Sequence, residues 1–559
     1  MRLSQERGIT EPNVENITNN EKTPELSGEA LSLLKQYRDA KSARDFGSVG
    51  DNIKVSQVLG PLAFFYERVR NALDYKGEHL VRRNAIERIL RRQIWERKSY
   101  DPSNLAEILI KELIWARYLK NDSVPKRKLK VIELIVQKYL EVFSSLQKDS
   151  KVYNYNDLKD WFLGVFSAEV EEVLDENIFY REALNYCVFS WFKDNYSWVD
   201  TSLDEKEKDI QIFIALHRSL SKSDKAGIRY RLLKVYYPEW TEKDGFNTID
   251  DINKVVEIER KIERQISSNY QPKMYRFVQR QSAAFLVLKE IIDKDYERAQ
   301  EIFKNPDKLE TAVGEVCKTK YGEIRKRVNR GIIRSIVYIF LTKVFLAILI
   351  EMPYEIFFRN KISYLPLGIN IVFPPFLMFM VGLSIRRPDE DNTQRIIAII
   401  KSFIYKQIRV EKIEFSLESR SGKSLIYRIF FLIYFLLFLL TFGGITLILL
   451  DLGFNMISAG IFFIFLSLVL LFGFRIRYTA TELNVKGERE SFVTHMITNI
   501  ALPLLNLGSW LSQGFQKFNF LLMFLDFLFE APFKNIMRVF EEWSSFIRER
   551  REEVVEVPN

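Results

Sequence analysis

Cysteine and histidine are scarce in this chain of 559 residues, which holds two cysteines and three histidines. Cys187 and Cys317 lie far apart, so they do not form a disulfide framework or, by themselves, a metal site. His79, His217 and His495 are scattered and lack the spacing of metal ligands. We therefore expect a reducing compartment, no bound metal and no histidine-based acid–base catalysis.

The sequence also lacks the short motifs of common enzymes. No G-x-S-x-G, H-E-x-x-H or G-x-G-x-x-G pattern occurs in it. Residues 421–424, SGKS, imitate the end of a phosphate-binding loop, but Leu417 occupies the position of the first glycine and no predicted strand precedes it. We interpret the chain as non-enzymatic and expect no cofactor.

An apolar core is missing from the first 28 residues, which argues against a cleavable signal peptide. The polar composition of residues 1–28 instead predicts a disordered tail. Net charge is modest, +9 from 82 Lys and Arg against 73 Asp and Glu, so a nucleic-acid partner is not expected.

Long apolar runs are present, by contrast, and they dominate the C-terminal half. A helix needs about 20 apolar residues to cross the hydrocarbon core of a bilayer. Four runs between residues 321 and 480 approach or exceed this length, which predicts an all-α, polytopic membrane protein. The predicted spans are residues 336–357, 363–385, 429–450 and 452–474.

Residues 29–320 predict a large soluble domain that is helical throughout. Apolar residues recur at spacings of three and four, as at Ala85, Ile86, Ile89 and Leu90, and no alternation of period two indicates a strand.

The basic stretch 80–98 allows two interpretations. It is either a helix that lies on an anionic membrane or a bundle helix with a solvated charged face, and we favour the bundle helix.

Basic residues also indicate an orientation, because they gather on the cytoplasmic side of a membrane. The link 386–428 holds ten basic and six acidic residues, whereas the link between the third and fourth spans is essentially Asp451. Arg359 and Lys361, in the short link between the first and second spans, do not fit this charge pattern. We expect both termini in the cytoplasm, at a bacterial-type cytoplasmic membrane, and an amphipathic helix along the interface at residues 395–410.

A dense cationic cluster directly precedes the first span, where seven basic residues oppose one acid, Glu323. We expect this basic cluster to lie against anionic lipid headgroups, with each residue contributing roughly 1 kcal/mol of attraction. Its members are Lys318, Lys320, Arg325, Lys326, Arg327, Arg330 and Arg334.

Four polar residues at membrane depth are candidates for a functional site, namely Lys343, Glu351, Glu355 and Asn370. Glu351 and Glu355 are four residues apart and so share a helix face. Charged groups within spans usually face the interior of the bundle or an ion pathway. The alternative is that Lys343 reaches to the nearer membrane surface and Glu351 lies close to the opposite one.

The C-terminal residues 481–559 form a less regular region. Residues 496–516 are uncharged, with polar side chains every seven residues at Asn499, Asn506 and Gln513, and residues 518–529 are too short for an ordinary span. We predict an interfacial or re-entrant hairpin followed by an amphipathic cytosolic tail. If both pieces crossed the bilayer instead, the spans would number six.

These features favour a membrane anchor or scaffold that presents a cytosolic helical domain. The expected partners are the anionic bilayer and either another protein or a second copy of the chain. An ion channel or transporter subunit with a regulatory cytosolic domain is the alternative.

Overall fold

A computed structural model describes most of the chain. The described residues are 24–47, 51–55, 80–148, 155–199, 203–241, 249–359, 363–385, 388–407, 413–416, 424–485 and 492–517, with single positions at 64, 67, 68, 539, 543, 546, 547 and 550. They are almost wholly helical, as the sequence predicts. Residues 1–23 of the predicted tail and most of the predicted C-terminal segment lie outside this set.

The chain divides into two compact units. The span unit comprises Met1–Ala30, Asp194–Asp200 and Gln279–Phe518, and the helical unit comprises Leu31–Lys193, Thr201–Val278 and Asn519–Asn559. The boundary between the two units falls at residues 278–279, whereas the sequence prediction places a domain border at residue 320. Residues 279–320 pack with the apolar helices because the helix that holds the basic cluster continues without a break into the first apolar run.

The helical unit is a bundle built around one apolar core. Its helices are α1 (Gly28–Gly47), α2 (Val81–Arg91), α3 (Pro102–Trp115), α4 (Lys126–Lys148), α5 (Tyr155–Leu174), α6 (Ile178–Asn195), α7 (Glu205–Ser219), α8 (Lys225–Tyr236) and α9 (Ile249–Ile266). Asp101 caps α3, as predicted, by accepting a hydrogen bond from the Ser103 backbone N–H. Apolar faces of α2 to α5, α8 and α9 meet in the core.

A buried ion pair anchors the centre of this core. Lys138 Nζ lies 2.6 Å from Glu169 Oε1, and both side chains are about 95% buried. The other carboxylate oxygen, Oε2, accepts hydrogen bonds from the Tyr139 hydroxyl at 2.8 Å and from Trp240 Nε1 at 3.0 Å. Burial, followed by the neighbouring Glu169 charge, raises the pKa of Tyr139 well above its usual range, so its hydroxyl keeps its proton.

The basic stretch 80–98 belongs to this bundle. Arg82 pairs with Glu171 at 2.8 Å, and Arg92 pairs with Glu112 at 2.5 Å. Most of its other arginines also have acidic partners within the unit, namely Glu87 and Asp224 for Arg83, Glu67 for Arg88, and Glu87 and Asp160 for Arg91. These arginines neutralise internal acids, in agreement with the bundle-helix interpretation.

The span unit contains the remaining helices and one small sheet. The helices are α10 (Gln271–Lys294), which begins in the helical unit, then α11 (Tyr296–Phe303), α12 (Pro306–Leu346), α13 (Tyr364–Ser384), α14 (Glu390–Ile404), α15 (Ser424–Asp451), α16 (Met456–Ala480) and α17 (Phe492–Lys517). Strands β1 (Tyr196–Trp198) and β2 (Ile413–Phe415) pair in parallel, a short sheet that the sequence does not predict.

Among the described residues of this unit, four helices are long and apolar enough to cross a membrane. They are Pro306–Phe358, Tyr364–Ser384, Phe431–Asp451 and Met456–Ala480, at the positions of the four predicted spans. Glycine allows two of their contacts to be close. A Cβ atom at Gly473 of α16 would lie 2.5 Å from Val381 of α13, and one at Gly508 of α17 would overlap the Ser467 carbonyl.

Two sequence expectations fail near α14. Its apolar side chains Ile396, Ile400 and Phe403 are fully buried in protein, so this face is not available to a bilayer. Residues 24–28, part of the predicted disordered tail, are ordered beside it. Ser27 Oγ donates to the Phe403 carbonyl, and Leu26 forms a β-bridge with Tyr405.

Helix α17 lies alongside the apolar helices. Gly508 approaches Ser467 of α16, and Arg475 of α16 donates to Ser512 Oγ, so α17 runs parallel to α16 in this stretch. Its packing favours a re-entrant or crossing segment over an interfacial one. Residues 518–529, the other half of the predicted hairpin, lie outside the described residues.

We predict that Glu169→Ala destabilises the helical unit by about 3–5 kcal/mol, because it leaves the buried Lys138 ammonium without its counter-charge. Thermal unfolding of the full chain in detergent measures the loss. The double variant Lys138→Met with Glu169→Met should recover most of the stability, and Glu107→Ala, in an exposed pair with Lys111, should change little. An equal loss in the double variant would contradict this account.

Candidate functional site

Seven polar residues meet inside the bundle formed by α12, α13 and α16. Four of them are the sequence candidates Lys343, Glu351, Glu355 and Asn370, which are 0%, 1%, 3% and 0% exposed. The structure adds Asn455 and Ser458 of α16 and Ser363, which precedes α13. We call these seven residues the polar network. The expectation that Lys343 reaches to a membrane surface is wrong, because its side chain is wholly buried.

Lys343 and Glu351 form the innermost link of the polar network. Lys343 Nζ lies 3.3 Å from Glu351 Oε1 on the same helix segment, eight residues away. The ammonium also lies over the Phe465 ring of α16, 4.6 Å from its centroid. A cation that faces an aromatic ring gains roughly 0.5–2 kcal/mol, so the ammonium has two favourable contacts.

Asn370 connects this ion pair to α16. Its Nδ2 donates to Glu351 Oε2 at 2.8 Å and to the Ser458 carbonyl at 3.2 Å. Its Oδ1 is buried and has no hydrogen-bond partner among the residues that the structure describes. One amide thus joins α12, α13 and α16.

Glu355 forms the outermost link. Its Oε1 accepts a hydrogen bond from Asn455 Nδ2 at 3.1 Å, and its Oε2 accepts one from the Ser363 backbone N–H at 2.7 Å. Asn455 Oδ1 in turn accepts from the Ser458 backbone N–H at 2.7 Å, which caps α16. Since Ser363 and Asn455 immediately precede α13 and α16, Glu355 marks one end of the bundle, which we call the far end.

The backbone of the first apolar helix widens where it carries the two glutamates. Residues Ala347–Glu351 and Glu355–Arg359 form π-helical turns on either side of Met352–Tyr354. Pro353 explains the irregularity, because proline cannot donate to the carbonyl four residues earlier and its ring clashes with that group. Wider turns of this kind are frequent at functional sites.

The opposite end of the bundle is cationic, and we call it the basic end. Two residues of the basic cluster are paired inside the span unit, Lys320 with Glu290 at 3.1 Å and Arg327 with Glu482 at 3.7 Å. The side chains of Lys318, Arg325, Lys326, Arg327, Arg330 and Arg334 are exposed. This cluster and the polar network therefore lie at different depths along α12.

The histidine and cysteines of the described residues are packing groups. His217 is buried beside Asn185, and burial, followed by the Arg231 charge, lowers its pKa well below the usual range. Cys187 and Cys317 are buried and unbonded to each other. Within the described residues no group of three or more His, Cys, Asp or Glu side chains is placed to hold a metal ion.

Four contributors to the site escape prediction from sequence, among them Ser363, which contributes its backbone N–H. Asn455 and Ser458 are an N-cap pair at the start of α16, a signal that the sequence contains but that indicates only a helix start. Phe465 is one of many aromatic residues in the apolar runs, so no local pattern distinguishes it.

Comparison of the chain with protein-family models, with curated proteins and with solved structures found no match.

We predict that Glu351→Leu destabilises the span unit by about 3–5 kcal/mol, because it removes the counter-charge of the buried Lys343 ammonium and the Phe465 ring replaces only part of that attraction. Thermal unfolding in detergent measures the effect. Adding Lys343→Met to this variant should restore most of the loss, since two well-packed apolar side chains replace the ion pair. If Glu351→Leu alone left stability unchanged, the ion pair would not be a structural link.

Proposed function

We propose that the protein is a non-enzymatic integral membrane protein whose four spans anchor a helical unit that binds a protein partner or the membrane face. The proposal rests mainly on the exposed surface of α12. The separate apolar core of the helical unit supports the interaction role, because such a unit holds its shape independently of the bilayer.

The exposed face of α12 changes abruptly in character along its length. Lys326, Arg330 and Arg334 follow one another at intervals of four residues, and all three are exposed. Beyond them the large exposed side chains are apolar, at Val337 (51%), Leu341 (60%) and Phe345 (63%). A helix that passes from lipid headgroups into hydrocarbon needs such a change.

The same distribution of charge supports an orientation. Basic residues at the basic end favour the cytoplasmic side, and the link between α15 and α16, which holds no Lys or Arg, favours the opposite side. Both termini are then cytoplasmic, and anionic lipids are the first partner. A bacterial-type cytoplasmic membrane is the proposed location, and a second copy or another protein is the proposed partner of the helical unit.

We predict that the triple variant Lys326→Glu, Arg330→Glu, Arg334→Glu loses most of its attraction to anionic lipid, as each site contributes roughly 1 kcal/mol. The measurement is the anionic-lipid fraction that remains with the protein in nanodiscs made from mixed lipids, together with the orientation after insertion into liposomes. The matched control carries Glu at the exposed Lys206, Lys222 and Lys261 of the helical unit. Equal lipid enrichment and orientation in both variants would contradict the assigned role of the basic cluster.

A channel or transporter subunit is the second candidate function, and the buried polar network favours it. Ionisable groups inside spans commonly mark the pathways of ions or protons. The packing between the network and the basic end favours the anchor instead. There Ile339, Met378, Phe465 and Val469 form an apolar cluster together with Ile332, Ile336 and Ile476.

The two candidates predict different results for ion flux. For the anchor we expect proteoliposomes with the full chain to show no flux of protons, Na⁺, K⁺ or Cl⁻ above empty vesicles, because the apolar cluster interrupts the polar groups. The anchor function would be rejected in favour of a transporter if the full chain showed ion flux and if Glu351→Ala or Lys343→Ala abolished that flux. Ser467→Ala is the control variant and should leave the flux unchanged. Crosslinking and pull-down of the solubilised protein then identify the partner of the helical unit.

A further inference from the structure

We propose that Glu351 and Asn370 form a binding site for one monovalent cation, a proton or Na⁺, which enters from the far end and which the Lys343 ammonium fills when no cation is bound. The site goes beyond the anchor function, because it requires binding on one side of the membrane and no passage through it.

The energetic cost of the polar network is the first argument. A charged pair in an apolar interior loses several kcal/mol of hydration per ion, and an apolar pair of similar volume is often as stable or more stable. Lys343 and Glu351 are nevertheless 0% and 1% exposed, among helices whose other buried residues are mainly apolar. Anchoring alone does not require them, so a role in binding accounts for their presence.

The second argument is the unsatisfied oxygen of Asn370. Within the described part of the chain its Oδ1 is buried without a partner, although Nδ2 of the same amide lies 2.8 Å from Glu351 Oε2. A buried carbonyl oxygen of this kind normally accepts a hydrogen bond or binds a cation. An amide oxygen and a carboxylate side by side are ligands that a hard cation such as Na⁺ prefers.

The third argument is that Lys343 holds its place weakly. Its 3.3 Å separation from Glu351 exceeds the 2.7–2.9 Å that is usual for a charge-assisted hydrogen bond. The Phe465 ring offers the ammonium a second favourable position without a carboxylate. The lysine can therefore yield the carboxylate to an incoming cation while it keeps a stabilising contact.

Access is one-sided. From Glu351 the network continues through Asn370, Ser458 and Asn455 to Glu355 at the far end. Toward the basic end the apolar cluster around Ile339 and Val469 closes the site. A cation consequently has a polar approach from the far end alone among the described residues.

Binding changes the charge of the site by one unit. A proton converts the Glu351 carboxylate to a neutral carboxyl, and Na⁺ pairs with the carboxylate directly. The titratable groups of the network are Lys343, Glu351 and Glu355. Among the described residues, the groups that face them do not titrate. They are Asn370 of α13, Phe465 and Ser458 of α16, and Asn455 directly before α16.

Carbodiimide labelling of the full chain in proteoliposomes tests the site, because an apolar carbodiimide reacts with protonated carboxyl groups inside a membrane. Peptide mass spectrometry locates the label. We expect it on Glu351, at a rate that falls as the pH is raised, because only the protonated carboxyl group reacts. Sodium at fixed pH, with choline as the control salt, should slow the labelling if Na⁺ shares the site, and should leave it unchanged if the site takes a proton alone.

Variants separate this site from a structural role. Lys343→Met should strengthen cation binding about tenfold or more, because it removes a like charge a few ångströms away. Ser467→Ala changes a buried polar residue of α16 outside the network and should leave the labelling of Glu351 as in the unaltered chain. Sodium or acid should act from the side of the far end only.

The proposal is overturned if wild-type Glu351 is not labelled, or if its labelling responds neither to pH nor to sodium. It is also overturned if acid or sodium on the side of the basic end is equally effective. These outcomes concern the unaltered protein, so they do not depend on whether a variant folds. Absence of ion flux in the same vesicles would leave the site intact and would support the anchor.

Discussion

A charge in an apolar interior must be paired, and this constraint organises the span unit. Lys343 and Glu351 satisfy each other only because the helix that carries them widens near Pro353 and because Asn370 from α13 approaches the same carboxylate. Asn370 in turn reaches the start of α16 through the Ser458 carbonyl. The Asn370 amide therefore connects the three helices through its two hydrogen bonds.

Arginine has a different role in each unit: on α2 it pairs with internal acids of the helical unit, and on α12 of the span unit it stays exposed. The arginines of α2 neutralise acids from distant segments, such as Glu171 of α5, and so contribute to internal structure. Arg330 and Arg334 of α12 remain exposed directly before an apolar stretch. Their local sequences are similar in composition. The difference lies in which acids the fold brings close, a property of long-range packing.

The elements that depend on local sequence could be predicted, and those that depend on distant partners could not. Four apolar runs and a helical periodicity specify the helices, and the spacing of Glu351 and Glu355 indicates a shared face. The amphipathic composition of α14 favours a membrane surface. It does not reveal that Phe403 packs on Phe285. The parallel pairing of Tyr196 with Ile413 links residues far apart in the chain and leaves no local signal. For the same reason the sequence does not reveal Asn455 as the partner of Glu355.

Helix α12 runs from Pro306 to Leu346 as 41 residues without an interruption, roughly 60 Å at 1.5 Å per residue. Its first half has buried contacts at Val313, Cys317 and Ile324, and its second half carries Lys343. No hinge separates the two halves. The length of α12 is about twice the thickness of the hydrocarbon core of a bilayer, roughly 30 Å. The half that holds Val313, Cys317 and Ile324 therefore cannot share the hydrocarbon with the half that carries Lys343.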